Sequence, residues 1–109
     1  MLVKINWIMR LSELEIDAIK AAINKYFEQE ASVYLFGSRV DEDKSGGDID
    51  LYVETELTGQ ELIKAKLQAM SEIQLRIGDR KIDIVTASSR QSTHVPLVIQ
   101  EARKFGIAL

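Results

Sequence analysis

A small mixed β-sheet backed by helices, an α/β (α+β) domain, is the fold class this sequence predicts. Three observations point to it. Helical and β-prone stretches follow in the order helix, strand, strand, helix, strand, helix, each β-prone run has one apolar face to cover, and 109 residues suffice for one domain but not two. The single domain is expected to span residues 1–109. With 46% hydrophobic and 28% charged residues, the composition is that of an ordinary globular protein.

The elements follow in order. Ser12 and Glu15 have capping-box spacing, and Ile16, Ile19, Ile23 and Phe27 recur at helical intervals, which predicts a helix over 13–29. Ser32 to Phe36 is β-prone and stops at Gly37, giving a first strand. Ile49, Leu51 and Val53 alternate with Asp48, Asp50, Tyr52 and Glu54, the period of a half-buried second strand. Thr58 and Glu61 repeat the capping-box spacing, and Ile63, Leu67, Met70, Ile73 and Ile77 mark the buried stripe of a helix over about 59–76. Gly78-Asp79 signals a turn, and Lys81 to Val85 reads as a short strand. Residues 86–94 are polar and loop-like. A last helix is expected from near Val95, with Pro96 in its first turn, to Gly106.

Bulk properties narrow the function. The net charge is −3 and no window concentrates Lys and Arg without acids, so a nucleic-acid polymer is a poor partner. Cysteine is absent, which removes disulfides, thiolate metal sites and cysteine nucleophiles. No apolar run approaches the roughly 20 residues of a membrane span. The opening residues Met1 to Met9 lack a following cleavage site, and a cytoplasmic location is expected. Met9 is a second candidate start, and residues 1–11 read as an N-terminal extension.

The chemistry-bearing residues lie between Gly37 and Leu51, with one more further on. Asp48 and Asp50 are two apart on a strand, so both carboxylates leave the face opposite Ile49, Leu51 and Val53, a face expected not to be core. Adjacent carboxylates raise each other's proton affinity unless a cation sits between them, and Mg²⁺ takes one or two carboxylates plus substrate phosphate and water. An acidic strand start facing solvent is the plainer reading of the same residues. Asp83 shares a face with Lys81 and Val85, and it joins the pair if its strand neighbours theirs; taken singly it reads as an edge residue. Gly37 lets backbone approach a ligand closely, free N–H groups after it attract phosphate, and the Ser38 hydroxyl donates to the same group; a plain turn is the alternative. Arg39 reads equally as a phosphate contact or a solvated side chain, and Gly46-Gly47 as an approach to Asp48 or only a loop. Nine residues separate Ser38 from Asp48, and the ordered set says more than any member.

At Gly37-Ser38, Asp48-Ile49-Asp50 and Asp83, the chain resembles the DNA polymerase β-type nucleotidyltransferase superfamily, and within it the minimal (MNT) members. The resemblance covers nearly the whole chain, with one departure: Gly47 stands where many relatives have Ser before the first Asp. It implies a nucleotidyltransferase fold and transfer of NMP, AMP from ATP being the expected case, with loss of pyrophosphate. Asp48 and Asp50 would hold two Mg²⁺ ions, Asp83 would bind the metal on the nucleophile side, and Gly37, Ser38, Arg39 and Gly47 would contact the nucleotide. Relatives of this size are typically antitoxins paired with a HEPN-domain toxin, some acting by adenylylating a tyrosine of it. An acceptor lobe is missing from the sequence, so the resemblance implies a HEPN partner and an oligomer or hetero-oligomer.

Two other functions remain open on the sequence. One is a binding module that neutralises a HEPN partner by contact with little turnover; the other is nucleotidylation of a small molecule, for which no acceptor pocket is legible. Phosphohydrolysis fits poorly because His94 is the one histidine and reads as a loop or capping residue. Trp7 and the three tyrosines read as core or surface rather than as a stacking platform.

Overall fold

A computed structural model describes residues 11–36, 49–78, 80–88 and 96–109. The elements are α1 (Glu13–Tyr26), β1 (Ser32–Phe36), β2 (Ile49–Glu54), α2 (Gly59–Ile77), β3 (Ile82–Ala87), α3 (Leu97–Phe105) and β4 (Ile107–Ala108). The strands form one mixed sheet in the order β3-β2-β1-β4. β1 pairs antiparallel with β2 and β4, while β2 and β3 run parallel, joined by α2 as the crossover that a parallel pair requires. The α/β (α+β) class expected from the sequence is the one observed.

Helices α1 and α2 cover one face. Ile19, Ile23 and Phe27 meet Leu35, Ile49, Leu51, Val53, Ile82 and Ile84, with Ala65, Ala69 and Ile73 from α2. Leu11, the last residue of the segment read as an extension, is buried in the same cluster. The other face carries α3, whose Ile99 and Ala102 pack on Tyr52, with Tyr34, Phe36, Val85 and Ala87 around them. The face of β2 opposite Ile49, Leu51 and Val53 is therefore core at Tyr52, contrary to the sequence expectation, because a third helix arrives to cover it.

Several boundaries differ from the sequence reading, each for a local reason. α1 ends at Tyr26 rather than at residue 29, since Phe27 turns extended into the core while its N–H still closes the last turn on the Ile23 carbonyl. α2 runs one residue beyond the predicted 76, to Ile77, and the next residue, Gly78, has φ of +103°, which favours glycine. Its buried stripe is Ala65, Ala69 and Ile73; Ile63 and Leu67, assigned to that stripe from spacing, are each 59% exposed. Small alanines let the helix approach α1 and the sheet closely, and the larger apolar residues fall on its flank. β3 continues to Ala87, so Thr86 and Ala87 belong to a strand rather than to the polar loop. α3 begins at Leu97 with Pro96 as its N-cap, one position outside the helix. It ends at Gly106, where a Cβ would overlap the Ala102 carbonyl oxygen. β4 was not expected: two residues long, it gives no periodicity to read, and pairing with β1 defines it.

Candidate active site

Two of the three expected carboxylates are placed side by side. Asp50 of β2 and Asp83 of β3 are register partners in the parallel ladder, so both leave the same face of the sheet from backbones about 4.8 Å apart. The antiparallel partner of Asp50 on its other side is Phe36, and Phe36, Asp50 and Asp83 form one row across three strands. The Ile49 N–H donates to the Lys81 carbonyl at 2.9 Å and fixes the start of β3 against the start of β2. Asp50 is half-buried and Asp83 exposed. Gly37 follows Phe36 directly and Asp48 precedes Ile49, so the chain leaves and re-enters the sheet at this same end.

Gly37, Ser38, Arg39, Gly47 and Asp48, together with Trp7 and His94, lie outside the described residues. Among the described residues no group of three or more His, Cys, Asp or Glu side chains gathers as a metal cage. The pair that is described nevertheless fits a hard divalent cation. Two oxygen-only donors stand in adjacent register on a partly open face, where their mutual repulsion is relieved by a cation between them.

Behind this row the face is tied down by a part-buried polar chain that the sequence reading passed over. Tyr52, next after Asp50 on the same face, is fully buried and stacks on Tyr34 with ring centroids 5.7 Å apart. Its hydroxyl donates to Glu54 Oε2 at 3.0 Å and accepts from Arg103 Nε at 3.0 Å. Arg103 also lies 3.5 Å from Glu54 Oε2 and donates to the Ser88 carbonyl at 2.9 Å. Burial, with the Glu54 carboxylate adding to it, raises the Tyr52 phenol above its usual value despite Arg103, so it stays protonated and able to donate. These contacts tie α3 to β2 and to Ser88, just after β3. No local signal reveals them, because Tyr52 and Arg103 are 51 positions apart.

Among the described residues, a cleft lies away from this site. It has a volume of about 260 Å³, sits between α1 and the β1–β4 edge, and is lined by Lys20, Asn24, Ser32 and Tyr34 among others, and by neither aspartate. No described helix is long and apolar enough to cross a membrane.

No curated protein matches the chain. A family model described as polymerase beta, nucleotidyltransferase matches residues 18–106, which takes in every strand except β4, both described aspartates and the whole segment from Gly37 to Asp48. On that match, and on a mixed sheet that sets Asp50 beside Asp83, the chain belongs to the polymerase beta-type nucleotidyltransferase family.

Proposed function

We propose that this protein is a Mg²⁺-dependent nucleotidyltransferase that moves AMP from ATP onto a hydroxyl, a tyrosine of a HEPN-type toxin, and serves as that toxin's antitoxin. The observation that carries the reading is the register pairing of Asp50 with Asp83, in a chain whose family transfers nucleotides. The antitoxin role and the HEPN acceptor rest on the resemblance to minimal members.

In this reading Asp48 and Asp50 would hold two Mg²⁺ ions, and Asp83 would add a carboxylate on the side of the attacking hydroxyl. Bound magnesium supplies positive charge at the α-phosphate and stabilises both the attacking and the leaving oxygen. Asp83 orients the acceptor hydroxyl and favours loss of its proton. The hydroxyl oxygen then bonds to the α-phosphorus, the bond to the β-phosphate oxygen breaks, and pyrophosphate leaves. Gly37, Ser38, Arg39 and Gly47 take the phosphates on backbone N–H groups, a hydroxyl and a guanidinium. The chain's contribution is placement and charge.

The test is transfer of label from α-labelled ATP with Mg²⁺ to a HEPN-type partner. Label on the partner is expected, falling at least about 100-fold with Asp50→Asn or Asp83→Asn, the scale of losing a group that acts in the transition state. Neutralisation of the toxin that persists unlabelled and survives both substitutions would show a contact inhibitor and overturn the catalytic reading.

A further inference from the structure

The start of β3 is held from three sides, and Asp83 lies three residues beyond the point of attachment. That point is Arg80. Its N–H donates to the Gly78 carbonyl at 2.9 Å, and its carbonyl accepts from Gln74 Nε2 of α2 at 2.9 Å. Its guanidinium donates through Nη1 to Glu15 Oε2 of α1 at 2.7 Å. The carbonyl of the next residue, Lys81, accepts from the Ile49 N–H at 2.9 Å and so ties the same segment to the start of β2. Two consecutive residues thus join α1, α2 and β2 where the strand begins.

The Arg80–Glu15 pair is better placed to matter than the pairs made by Glu72. Its side chains are 18% and 23% exposed, whereas Lys25 and Arg76 beside Glu72 are 59% and 51% exposed. Glu15 is itself held, because its Oε1 accepts from the Ser12 N–H at 2.9 Å. A partner already fixed loses less freedom on pairing, and partial burial limits screening by salt. Packing sets a different coordinate. Buried Ile82 and Ile84 decide which face Asp83 leaves, since a one-residue slip would turn both of them outward. Apolar contact is non-directional, so the finer position along the strand falls to the hydrogen bonds and the ion pair. A Mg²⁺ ion takes oxygens at about 2.0–2.1 Å in near-ideal octahedral geometry, and such a site needs its ligands placed to about 0.5 Å.

We propose that Arg80 and Glu15 are positioning residues for Asp83: their ion pair sets where β3 starts, and thereby where the Asp83 carboxylate stands relative to Asp50. The inference rests on the nucleotidyl-transfer reading, which puts a divalent cation at this row.

Mn²⁺ binding to the whole chain, read by electron paramagnetic resonance with a non-hydrolysable ATP analogue present, tests it. Arg80→Met and, separately, Glu15→Gln should each weaken binding about 10-fold, the scale for groups that orient a metal ligand without being one. Glutamine keeps the capping-box acceptor, so α1 retains its start. In an Asp83→Asn background the same two substitutions should change nothing further, because their effect runs through that carboxylate. Ser12→Ala weakens the start of α1, leaves the ion pair in place, and should bind Mn²⁺ as the parent does. Unchanged binding overturns the proposal. So does a loss of equal size with and without Asp83, or one that Ser12→Ala reproduces, since either is general destabilisation. Label transfer that needs Asp83, with Mn²⁺ binding indifferent to Arg80, would leave the nucleotidyl-transfer reading standing without this inference. Mn²⁺ binding that follows Arg80, with no label on a HEPN-type partner, would do the reverse. A parent protein that binds no Mn²⁺ overturns both.

Discussion

Ser12 and Thr58 carry the same helix-start spacing, and only one of them caps. The Ser12 hydroxyl accepts from the Glu15 N–H at 3.1 Å, and the Glu15 carboxylate accepts from the Ser12 N–H at 2.9 Å, closing a reciprocal box. Glu15 also pairs with Arg80 at 2.7 Å, so the same carboxylate ties α1 to the segment before β3. Thr58 makes no side-chain cap. Gly59, at φ of +61°, departs from the helical geometry a capping box needs between its ends. Ser12→Ala should therefore cost about 1 kcal/mol in denaturant unfolding. Thr58→Ala should change stability by less than the error of the same measurement, and equal losses at the two positions would count against this account.

Between elements, one carboxylate fastens the turn after α1 to the turn after β2. Glu28 accepts from the Thr55 hydroxyl at 2.6 Å and from the Glu56 N–H at 2.7 Å. Thr55 is buried and also accepts from the Leu57 N–H at 3.1 Å, which shapes the entry to α2. Partial burial pushes Glu28 up, but these donors outweigh it and hold the carboxyl below its ordinary value. A depressed acid contributes stability that is complete above its unfolded value, about 4.3, and is lost as pH falls through the lower folded value. Glu72, lowered by the Tyr26 hydroxyl and by Arg76, acts in the same direction between α1 and α2. Melting temperature should accordingly drop as pH falls below about 4. Glu28→Gln should be less stable than the parent at neutral pH and should lose less on acidification.

At the scale of the whole molecule, the sheet sets two like charges side by side, a placement that favours function over stability. Asp50 and Asp83 face the same way in adjacent strands, and like charges opposite one another are less favourable than a charged and a neutral side chain there. Without divalent ions, Asp83→Asn should melt at or slightly above the parent temperature. Millimolar Mg²⁺ with ATP should raise the parent's melting temperature and leave that of Asp83→Asn nearly unmoved. A parent protein indifferent to the pair of ligands would remove the physical basis of the proposed site.

The sequence by itself determined the class of fold and most of its elements, because periodicity and turn residues are local. A β-prone run stopping at Gly37 located β1, alternation located β2, the box at Ser12 started α1, and Gly78 and Gly106 stopped two helices. It also named Asp50 and Asp83, since residue type and strand period suffice to place a carboxylate on a face. Tertiary structure decided the rest. β4 exists only as a partner of β1, Phe27 leaves its helix for the core, and Ile63 and Leu67 lie outside the stripe their spacing implied. The parallel register that sets Asp83 beside Asp50, and the reach of Arg103 across 51 positions to Tyr52, depend on contacts between distant segments. Local pattern fixes which way a side chain leaves its own strand; only packing fixes which strand lies next to it.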